Sequence, residues 1–171
     1  VINHKTVQKL MNNLGLKGKQ RKNDKYHSYK GTVGKVADNL LKRDFSAEKP
    51  FEKITTDVTQ FNVCDEKVYL SPVLDLFNNE IVSYSISTSP NLEQVREMLN
   101  GLFAKLPADA TPIFHSDQGW QYQHAEYQRL LAEHNITQSM SRKGNCMYNG
   151  AMENFFGRLK VEMFYGEKFE S

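Results

Sequence analysis

The sequence is poor in cysteine and has no long hydrophobic run. Its two cysteines, Cys64 and Cys146, are 82 positions apart, and neither belongs to a Cys-x-x-Cys pair. The small number and wide spacing of the cysteines argue against a disulfide framework or a structural zinc site. They favour reduced thiols in an intracellular protein. Every apolar run is shorter than the ~18 residues of a membrane-spanning helix. We therefore expect a cytoplasmic protein with no membrane partner.

An initiating methionine and a secretory signal peptide are also missing. The first residues, Val1 to Lys5, do not begin the charged and then apolar segment of a signal peptide. We therefore expect a fragment of a longer chain. Its 171 residues, 39% hydrophobic and 25% charged, suffice for one core and a small appendage.

The formal net charge of +2 hides an uneven distribution of charge. Residues 1–49 contain 12 Lys and Arg against 4 Asp and Glu, whereas residues 50–171 contain 10 against 16. The first part therefore carries a charge of +8 and the second a charge of −6. An acidic body needs metal ions or a basic arm to approach a polyanion, and this sequence has residues for both.

Three acidic residues occupy settings that can bring them together. Asp57 lies in a β-branched run, and Asp117 ends a short apolar run before a Gln-Gly turn, so both patterns predict strands. Glu153 follows Asp117 with 35 residues between them, and it lies among apolar residues at helical spacing. Two acids on strands and one on a helix can converge on one point.

Each of these acids taken alone could equally be a solvated or capping carboxylate. Together they offer the oxygen ligands that Mg²⁺ prefers, and Mg²⁺ usually takes one or two protein carboxylates. Three carboxylates suit a two-metal site, in which ions roughly 3.5–4 Å apart hold the attacking and leaving oxygens of a phosphodiester displacement. The sequence therefore predicts phosphodiester chemistry with two Mg²⁺ or Mn²⁺ ions.

The pattern from Pro50 onward predicts a mixed sheet flanked by helices. The predicted strands span 53–61, 67–75, 80–87, 112–117 and 136–140, with helices opening at Ser89-Pro90, near 121–134 and around Glu153. This order, β-β-β-α-β-α-β-α, is typical of an α/β fold with a five-stranded mixed sheet. The strand ending at Asp117 would lie parallel beside the strand that carries Asp57.

The first 49 residues predict little buried structure. Asn3 can cap a short amphipathic helix that stops near Gly15. Residues 17–30 are basic and polar, with tyrosine and histidine interleaved, which indicates either a solvated linker or an arm that contacts nucleic acid. We therefore divide the chain into residues 1–16, a basic linker or arm at 17–49, and a catalytic body at 50–171.

Five motifs are spread along this body, and the likeness that they carry extends over nearly the whole chain. They are Thr56-Asp57-Val58-Thr59, Tyr69 to Phe77, His115-Ser116-Asp117-Gln118-Gly119, Ser141 to Cys146, and Met152-Glu153-Asn154-Phe155-Phe156. Together they resemble the second-frame product of bacterial insertion-sequence transposases of the IS-three family, whose catalytic core is similar to that of retroviral integrases.

The resemblance implies a ribonuclease-H-like fold and a D-D-E catalytic triad formed by Asp57, Asp117 and Glu153. These acids would also bind the metal ions, with Asp57 bridging both. The implied enzyme is a metal-dependent DDE transposase that cleaves DNA at the ends of an insertion sequence and joins it to target DNA. It would act as a homo-oligomer on DNA, in a bacterial cytoplasm. Residues 1–16 would be the remnant of a helix-turn-helix DNA-binding segment.

Five further residues are predicted to contact DNA. Asn149 and Lys160 lie four positions before and seven positions after Glu153, and hence on the same strip of a helix. The other three precede them in a polar loop and are Arg142, Lys143 and Asn145. For each of the five, a solvated surface side chain is the alternative.

The loop before Glu153 departs from the pattern of the family. Relatives usually carry Asp where this chain has Tyr148, and Ala or Ser where it has Gly150. Tyr148 favours one alternative function, an inactive remnant that only binds DNA. Another alternative is a ribonuclease-H-like nuclease for RNA–DNA hybrids, against which the segment from Arg142 to Cys146 argues.

Overall fold

The computed structural model describes residues 3–17, 34–142, 150–167 and 169 of the chain. Its strands are β1 Lys53–Thr56, β2 Thr59–Val63, β3 Glu66–Asp75, β4 Ile81–Ser87, β5 Ile113–Ser116 and β6 Thr137–Met140. Its helices are α1 His4–Asn13, α2 Leu92–Phe103, α3 Trp120–Gln123, α4 Ala125–Glu133 and α5 Gly150–Leu159, which continues as a π-helical turn, Lys160–Phe164. The predicted order of elements is confirmed, except that one predicted strand and one predicted helix are each divided in two.

All six strands belong to one mixed sheet. β3 pairs antiparallel with β4 along one edge, and with β1 and then β2 along the other. β5 lies parallel to β1, and β6 lies parallel to β5. In the pairing of β1 with β5, Thr55 stands beside His115. Asp57 and Asp117 each come two residues later, so they follow the same end of two neighbouring parallel strands, as the sequence predicts.

The strand predicted at 53–61 is interrupted at Asp57 and Val58, which is why the sheet has six strands and not the five of the prediction. β1 and β2 nevertheless keep one register against β3. The flanking pairs on either side of the interruption are Thr56 with Val73 and Thr59 with Leu70. Continuing that register places Asp57 opposite Pro72.

Pro72 explains why the ladder is interrupted at this point. The N–H of Leu76, just after β3, donates to the carbonyl of Lys53 at 3.0 Å. Alternate residues of a strand direct their backbone groups to the same edge, so residue 72 also faces this edge. Proline has no N–H to donate to Asp57. The first catalytic acid predicted from the sequence therefore lies at a break in the middle of the sheet.

The helix predicted near 121–134 is divided at His124. This residue has an extended backbone, with φ −70° and ψ 138°, and its ring accepts a hydrogen bond from the N–H of Glu126 at 3.3 Å. It thus ends α3 and caps α4. The helix predicted to open at Ser89-Pro90 begins at Leu92 instead, because the side chain of Asn91 provides the cap.

Helices cover both faces of the sheet. On one face, a core that includes Val73 and Phe114 packs against α2 and α4. On the other face, Leu74 and Ile113 pack with the buried residues of α5. Neighbouring residues of a strand point to opposite faces, so these two cores lie on opposite sides of the sheet. The helix that carries Glu153 therefore lies on the second face.

Part of the predicted linker packs against the body. Leu41 is 3% exposed and belongs to the core beneath α5. The N–H of Leu40 donates to the Ser139 hydroxyl at 3.0 Å, and the N–H of Met140 donates to the Asp38 carbonyl at 3.2 Å. Residues 34–47, here called the strap, therefore run along the edge formed by β6. The division of the chain at residues 16 and 49 stays a prediction.

The short N-terminal helix α1 forms as the sequence predicts. The side chain of Asn3 accepts a hydrogen bond from the N–H of Lys5, and Gly15 follows the helix with φ +67°. None of the residues of α1 is buried. Across the described parts of the chain, the helices are too short or too polar to cross a membrane.

Candidate active site

Asp57 lies at the break between β1 and β2 and is half-buried. Its Oδ1 accepts a hydrogen bond from the N–H of Val58 at 2.8 Å, which fixes one side of the carboxylate. Its pKa is raised from 3.8 to about 7, first by burial and then by the negative charge of Asp117. The charge of Glu153 raises this pKa further, whereas the Val58 N–H and the charge of Lys160 lower it.

Asp117 follows β5 directly and is held by its own turn. Its Oδ1 accepts a hydrogen bond from the N–H of Gly119 at 2.8 Å. A Cβ on Gly119 would lie 3.0 Å from that same oxygen, so the turn is close enough to favour glycine. The side chain of Gln118 donates to the carbonyl of Ser141 at 2.9 Å. This bond ties the Asp117 turn to the start of the segment that leads to Glu153.

Glu153 lies in the first turn of α5, where the positive end of the helix dipole favours a carboxylate. Its neighbours Met152 and Phe156 are buried against the sheet. These two residues fix the rotation of the helix, so the half-buried Glu153 stays beside the sheet. A groove of about 450 Å³ runs along the exposed side of the helix and is lined by Gly150, Glu153, Asn154, Gly157, Arg158, Val161 and Glu162.

The three acids therefore come close enough to act on one another. The charges of Asp117 and Glu153 both raise the pKa of Asp57, although the three residues come from two strand ends and a helix. Among the residues that the structure describes, no three His, Cys, Asp or Glu side chains are arranged to share one metal ion. The donor set nevertheless suits a divalent cation, because it offers carboxylate oxygens whose mutual repulsion a cation would offset.

Tyr122 is a buried neighbour of the acids that the sequence patterns did not reveal. Its side chain is 0% exposed, and its pKa is raised first by burial and then by the charges of Asp57 and Asp117. The phenol packs in the core that faces α2 and α4, and the charges of both aspartates act on it there. It belongs to the four-residue helix α3, which is too short for a helical pattern in the sequence.

His115 precedes Asp117 by two positions on the same strand and is fully buried. Its Nδ1 lies 2.9 Å from the Ser139 hydroxyl, and its ring packs edge to face against Phe45 of the strap. It is therefore a packed histidine of the core.

The predicted DNA contacts are described only in part. Arg142 is exposed just after β6. Lys160 opens the π-helical turn, and its Nζ lies 5.4 Å from the centroid of the Phe61 ring. Lys143, Asn145 and Asn149 lie outside the described residues, as does Tyr148.

Comparison with known proteins gives a family for this chain. The integrase core domain family matches residues 47–146. An uncharacterised transposase-like protein of Haemophilus influenzae is 59% identical over 170 residues, which are 99% of this chain and 78% of that protein. A protein of Escherichia coli assigned as the InsK transposase of insertion sequence element IS150 is 54% identical, over 99% of this chain and 60% of its own length.

Solved structures of retroviral integrases share the fold. A chain of the simian T-cell lymphotropic virus intasome, in complex with a PP2A regulatory subunit, aligns with 82% of this chain and 46% of its own length, at a TM-score of 0.59 and 21% identity. The catalytic core domain of HTLV-2 integrase in complex with magnesium, in a dimeric form, aligns with 65% of this chain and 68% of its own length, at a TM-score of 0.52 and 20% identity. These likenesses confirm the predicted ribonuclease-H-like fold.

The family decides between the functions left open by the sequence. These two relatives, which match 99% of this chain, are described as a transposase-like protein and a putative transposase, so neither a nuclease for RNA–DNA hybrids nor an inactive remnant is favoured. The motif pattern had already indicated the IS-three family. The chain therefore belongs to the integrase core domain family, as the catalytic core of an insertion-sequence transposase of the IS-three family.

Proposed function

We propose that this chain catalyses DNA strand cleavage and strand transfer with Asp57, Asp117 and Glu153 as its catalytic and metal-binding residues. The observation that carries the proposal is the placement of these acids: Asp57 and Asp117 follow the same end of two neighbouring parallel strands, and Glu153 lies on the helix that packs on the sheet. In keeping with this placement, the charges of Asp117 and Glu153 raise the pKa of Asp57. Half-buried acids that repel one another cost stability, so such an arrangement favours a functional site over a structural one.

Asp57, Asp117 and Glu153 would hold two Mg²⁺ or Mn²⁺ ions, with Asp57 contributing to both. When bound, the ions would supply Lewis-acid stabilisation of the charge on the phosphate and make the attacking hydroxyl or water more acidic. The magnesium in the HTLV-2 integrase core supports the choice of metal. Asp117 and Glu153 would each complete the ligands of one ion.

The protein's own groups would orient the carboxylates. The N–H of Val58 fixes one oxygen of Asp57, and the N–H of Gly119 fixes one oxygen of Asp117. The backbone therefore orients both aspartates. Glu153 is carried by the first turn of α5, at the positive end of the helix dipole. Because each acid is oriented by a rigid element, little reorganisation is required as charge develops on the phosphate.

The substrate would be double-stranded DNA, at the ends of an insertion sequence and at a target. The groove beside Glu153 could accept one backbone, with Lys160 and the exposed Arg142 as phosphate contacts. Lys143, Asn145 and Asn149 are proposed as further contacts on the basis of the sequence alone. The intasome and the dimeric integrase core among the fold's neighbours support action as a homo-oligomer on DNA. We expect this reaction in the bacterial cytoplasm.

The test is nicking of supercoiled plasmid DNA in Mn²⁺, followed as conversion to open circles. We expect Asp57→Asn to lower the nicking rate by at least ~100-fold, because it removes a carboxylate ligand that no neighbour can replace. We also expect Mn²⁺ to raise the melting temperature of the unsubstituted chain and not that of the variant, since a ligand of the folded state stabilises it.

Asp65→Asn is the matched control. Asp65 is exposed in the turn between β2 and β3 with φ +65°, a conformation that Asn also tolerates. The Asp65→Asn variant should nick DNA at the rate of the unsubstituted chain. Equal nicking by the Asp57→Asn variant would contradict the proposed function.

A further inference from the structure

Phe61 is an aromatic residue of β2, the strand that follows Asp57. It does not belong to the group formed by Asp57, Asp117 and Glu153, which is here called the acidic cluster. Its side chain is 6% exposed. It follows Asp57 by four positions, and alternate residues of a strand face the same side. The ring therefore lies on the same face of the sheet as the Asp57 carboxylate, roughly 13 Å further along at about 3.3 Å per residue. This is the face that α5 covers.

Side chains from the π-helical turn Lys160–Phe164 hold the Phe61 ring. Lys160 Nζ lies 5.4 Å from its centroid, within the ~6 Å range of a cation–π interaction. Phe164 packs edge to face against the same ring, with 5.2 Å between centroids, and it stacks in turn on Phe169. The ring thus has aromatic support and presents an electron-rich face to the ammonium.

The Lys160 ammonium is also placed near the acidic cluster by the helix that carries Glu153. Lys160 follows Glu153 by seven positions, about two turns along α5 and the π-helical turn that continues it, so both residues lie on one strip of the helix. A phosphodiester that enters the cluster would meet the same cation at its edge. Lysine has a long, flexible stem, and ordering it only when DNA binds would cost conformational entropy. A ring that holds the cation beforehand removes part of that cost.

We propose that Phe61 is a positioning residue that holds the Lys160 ammonium at the edge of the acidic cluster, ready to meet a DNA phosphate. The inference rests on the proposed function, because it takes duplex DNA as the ligand. If Phe61 were needed only for packing, its apolar volume alone would matter. A positioning role requires the electron density of the ring face.

The first experiment measures the binding of a fluorescein-labelled DNA duplex of about 30 base pairs by fluorescence anisotropy. Lys160→Met removes the charge while keeping the stem, so Kd should rise and the slope of log Kd against log salt should fall by about 0.9. Phe61→Leu keeps an apolar side chain, and its Kd should rise roughly 2- to 30-fold, the range expected for a lost cation–π contact. The double variant should bind no more weakly than Lys160→Met alone, because both changes remove one interaction.

The second experiment replaces Phe61 by pentafluorophenylalanine, which retains the ring shape but withdraws electron density from its face. DNA binding should weaken as in Phe61→Leu while the melting temperature stays that of the unsubstituted chain. This variant keeps the test decisive if Phe61→Leu folds poorly. Phe103→Leu is the control, because Phe103 packs in the core on the opposite face of the sheet.

Three results would overturn the inference. One is unchanged DNA binding when the ring is fluorinated, and another is a double variant whose loss equals the product of both single losses. The third is unchanged binding by Lys160→Met, which would reject the phosphate contact itself. That last result would not contradict the proposed function, which the nicking assay with Asp57→Asn tests separately. Failure of the inference and failure of the proposed function are therefore distinguishable.

Discussion

The residue that most defines this site is Asp57, because its surroundings disfavour its charge. Its pKa is raised to about 7 by burial and by two neighbouring acids. A carboxyl whose pKa is higher in the folded chain than in the unfolded chain lowers stability as it ionises. The cost is absent below the ordinary pKa of 3.8 and complete above about 7. The ionised carboxyl of Asp57 therefore lowers the stability of the folded chain, while its negative charge attracts cations.

This cost of ionisation predicts that Asp57→Asn stabilises the metal-free chain at neutral and alkaline pH. The gain in free energy of unfolding should grow between pH 4 and pH 7, because only the unsubstituted chain ionises a disfavoured carboxyl over that range. The shift from 3.8 to about 7 sets an upper limit of about 4 kcal/mol. Urea unfolding in EDTA at pH 5 and pH 8 measures it, with the larger difference expected at pH 8.

Asp65→Asn serves again as the control, since its carboxyl is exposed and its substitution should shift unfolding equally little at both pH values. Asp117→Asn provides a second check. Removing that charge lowers the pKa of Asp57, so this variant should also be more stable than the unsubstituted chain at pH 8. A gain from Asp57→Asn that is the same at pH 5 and pH 8 would contradict the electrostatic explanation.

At the scale of elements, local patterns predict the strands and helices well but miss what depends on distant partners. The β-branched run around Asp57 predicts a strand, yet its interruption depends on Pro72, which register alone brings opposite. His124 divides a helix by capping α4 with its own ring, a role that periodicity does not reveal. Periodicity does not reveal Tyr122 either, because its burial in the core, where the charges of Asp57 and Asp117 act on it, depends on the whole fold.

The strap is the clearest case of an element that composition hides. The sequence predicts a linker or arm at residues 17–49, because its first part, residues 17–30, is basic and polar. The strap, residues 34–47, nevertheless docks through bonds to residues about a hundred positions away, such as that from Leu40 N–H to Ser139. Leu41 completes the same small core as Met152 and Phe156. The strap therefore supports the helix that carries Glu153.

We predict that Leu41→Ala lowers the free energy of unfolding by about 2–4 kcal/mol, the usual cost of a large-to-small change in a core. The cavity would lie against α5, so DNA nicking should fall as well, even at a temperature where the chain stays folded. Leu40→Ala is the matched control: the neighbouring leucine is 41% exposed and should change stability by less than about 0.5 kcal/mol. Equal effects of Leu41→Ala and Leu40→Ala on stability and nicking would show that the buried contact of the strap with α5 makes no specific contribution to either.

At the scale of the whole molecule, the two parts of the chain have opposite charge. Residues 1–49 carry +8 and residues 50–171 carry −6. Six of the basic residues lie between positions 17 and 30, against one acid, and they precede the docked strap. DNA is a dense polyanion, and an acidic body repels it at long range. The basic segment should therefore supply much of the affinity for DNA, while the acids and their metal ions supply the chemistry.

Replacing the six Lys and Arg of residues 17–30 by Gln changes the net charge from +2 to −4 and leaves the active site untouched. We expect the slope of log Kd against log salt to fall by up to about 5, since each lost phosphate contact removes about 0.9. Nicking at saturating DNA should stay nearly constant, because the acids remain in place. An equal number of Lys and Arg exchanged for Gln outside this segment, in residues 34–142 and away from Arg142, is the control and should change the slope less. If both exchanges had the same effect, DNA affinity would follow total charge rather than the position of the basic segment.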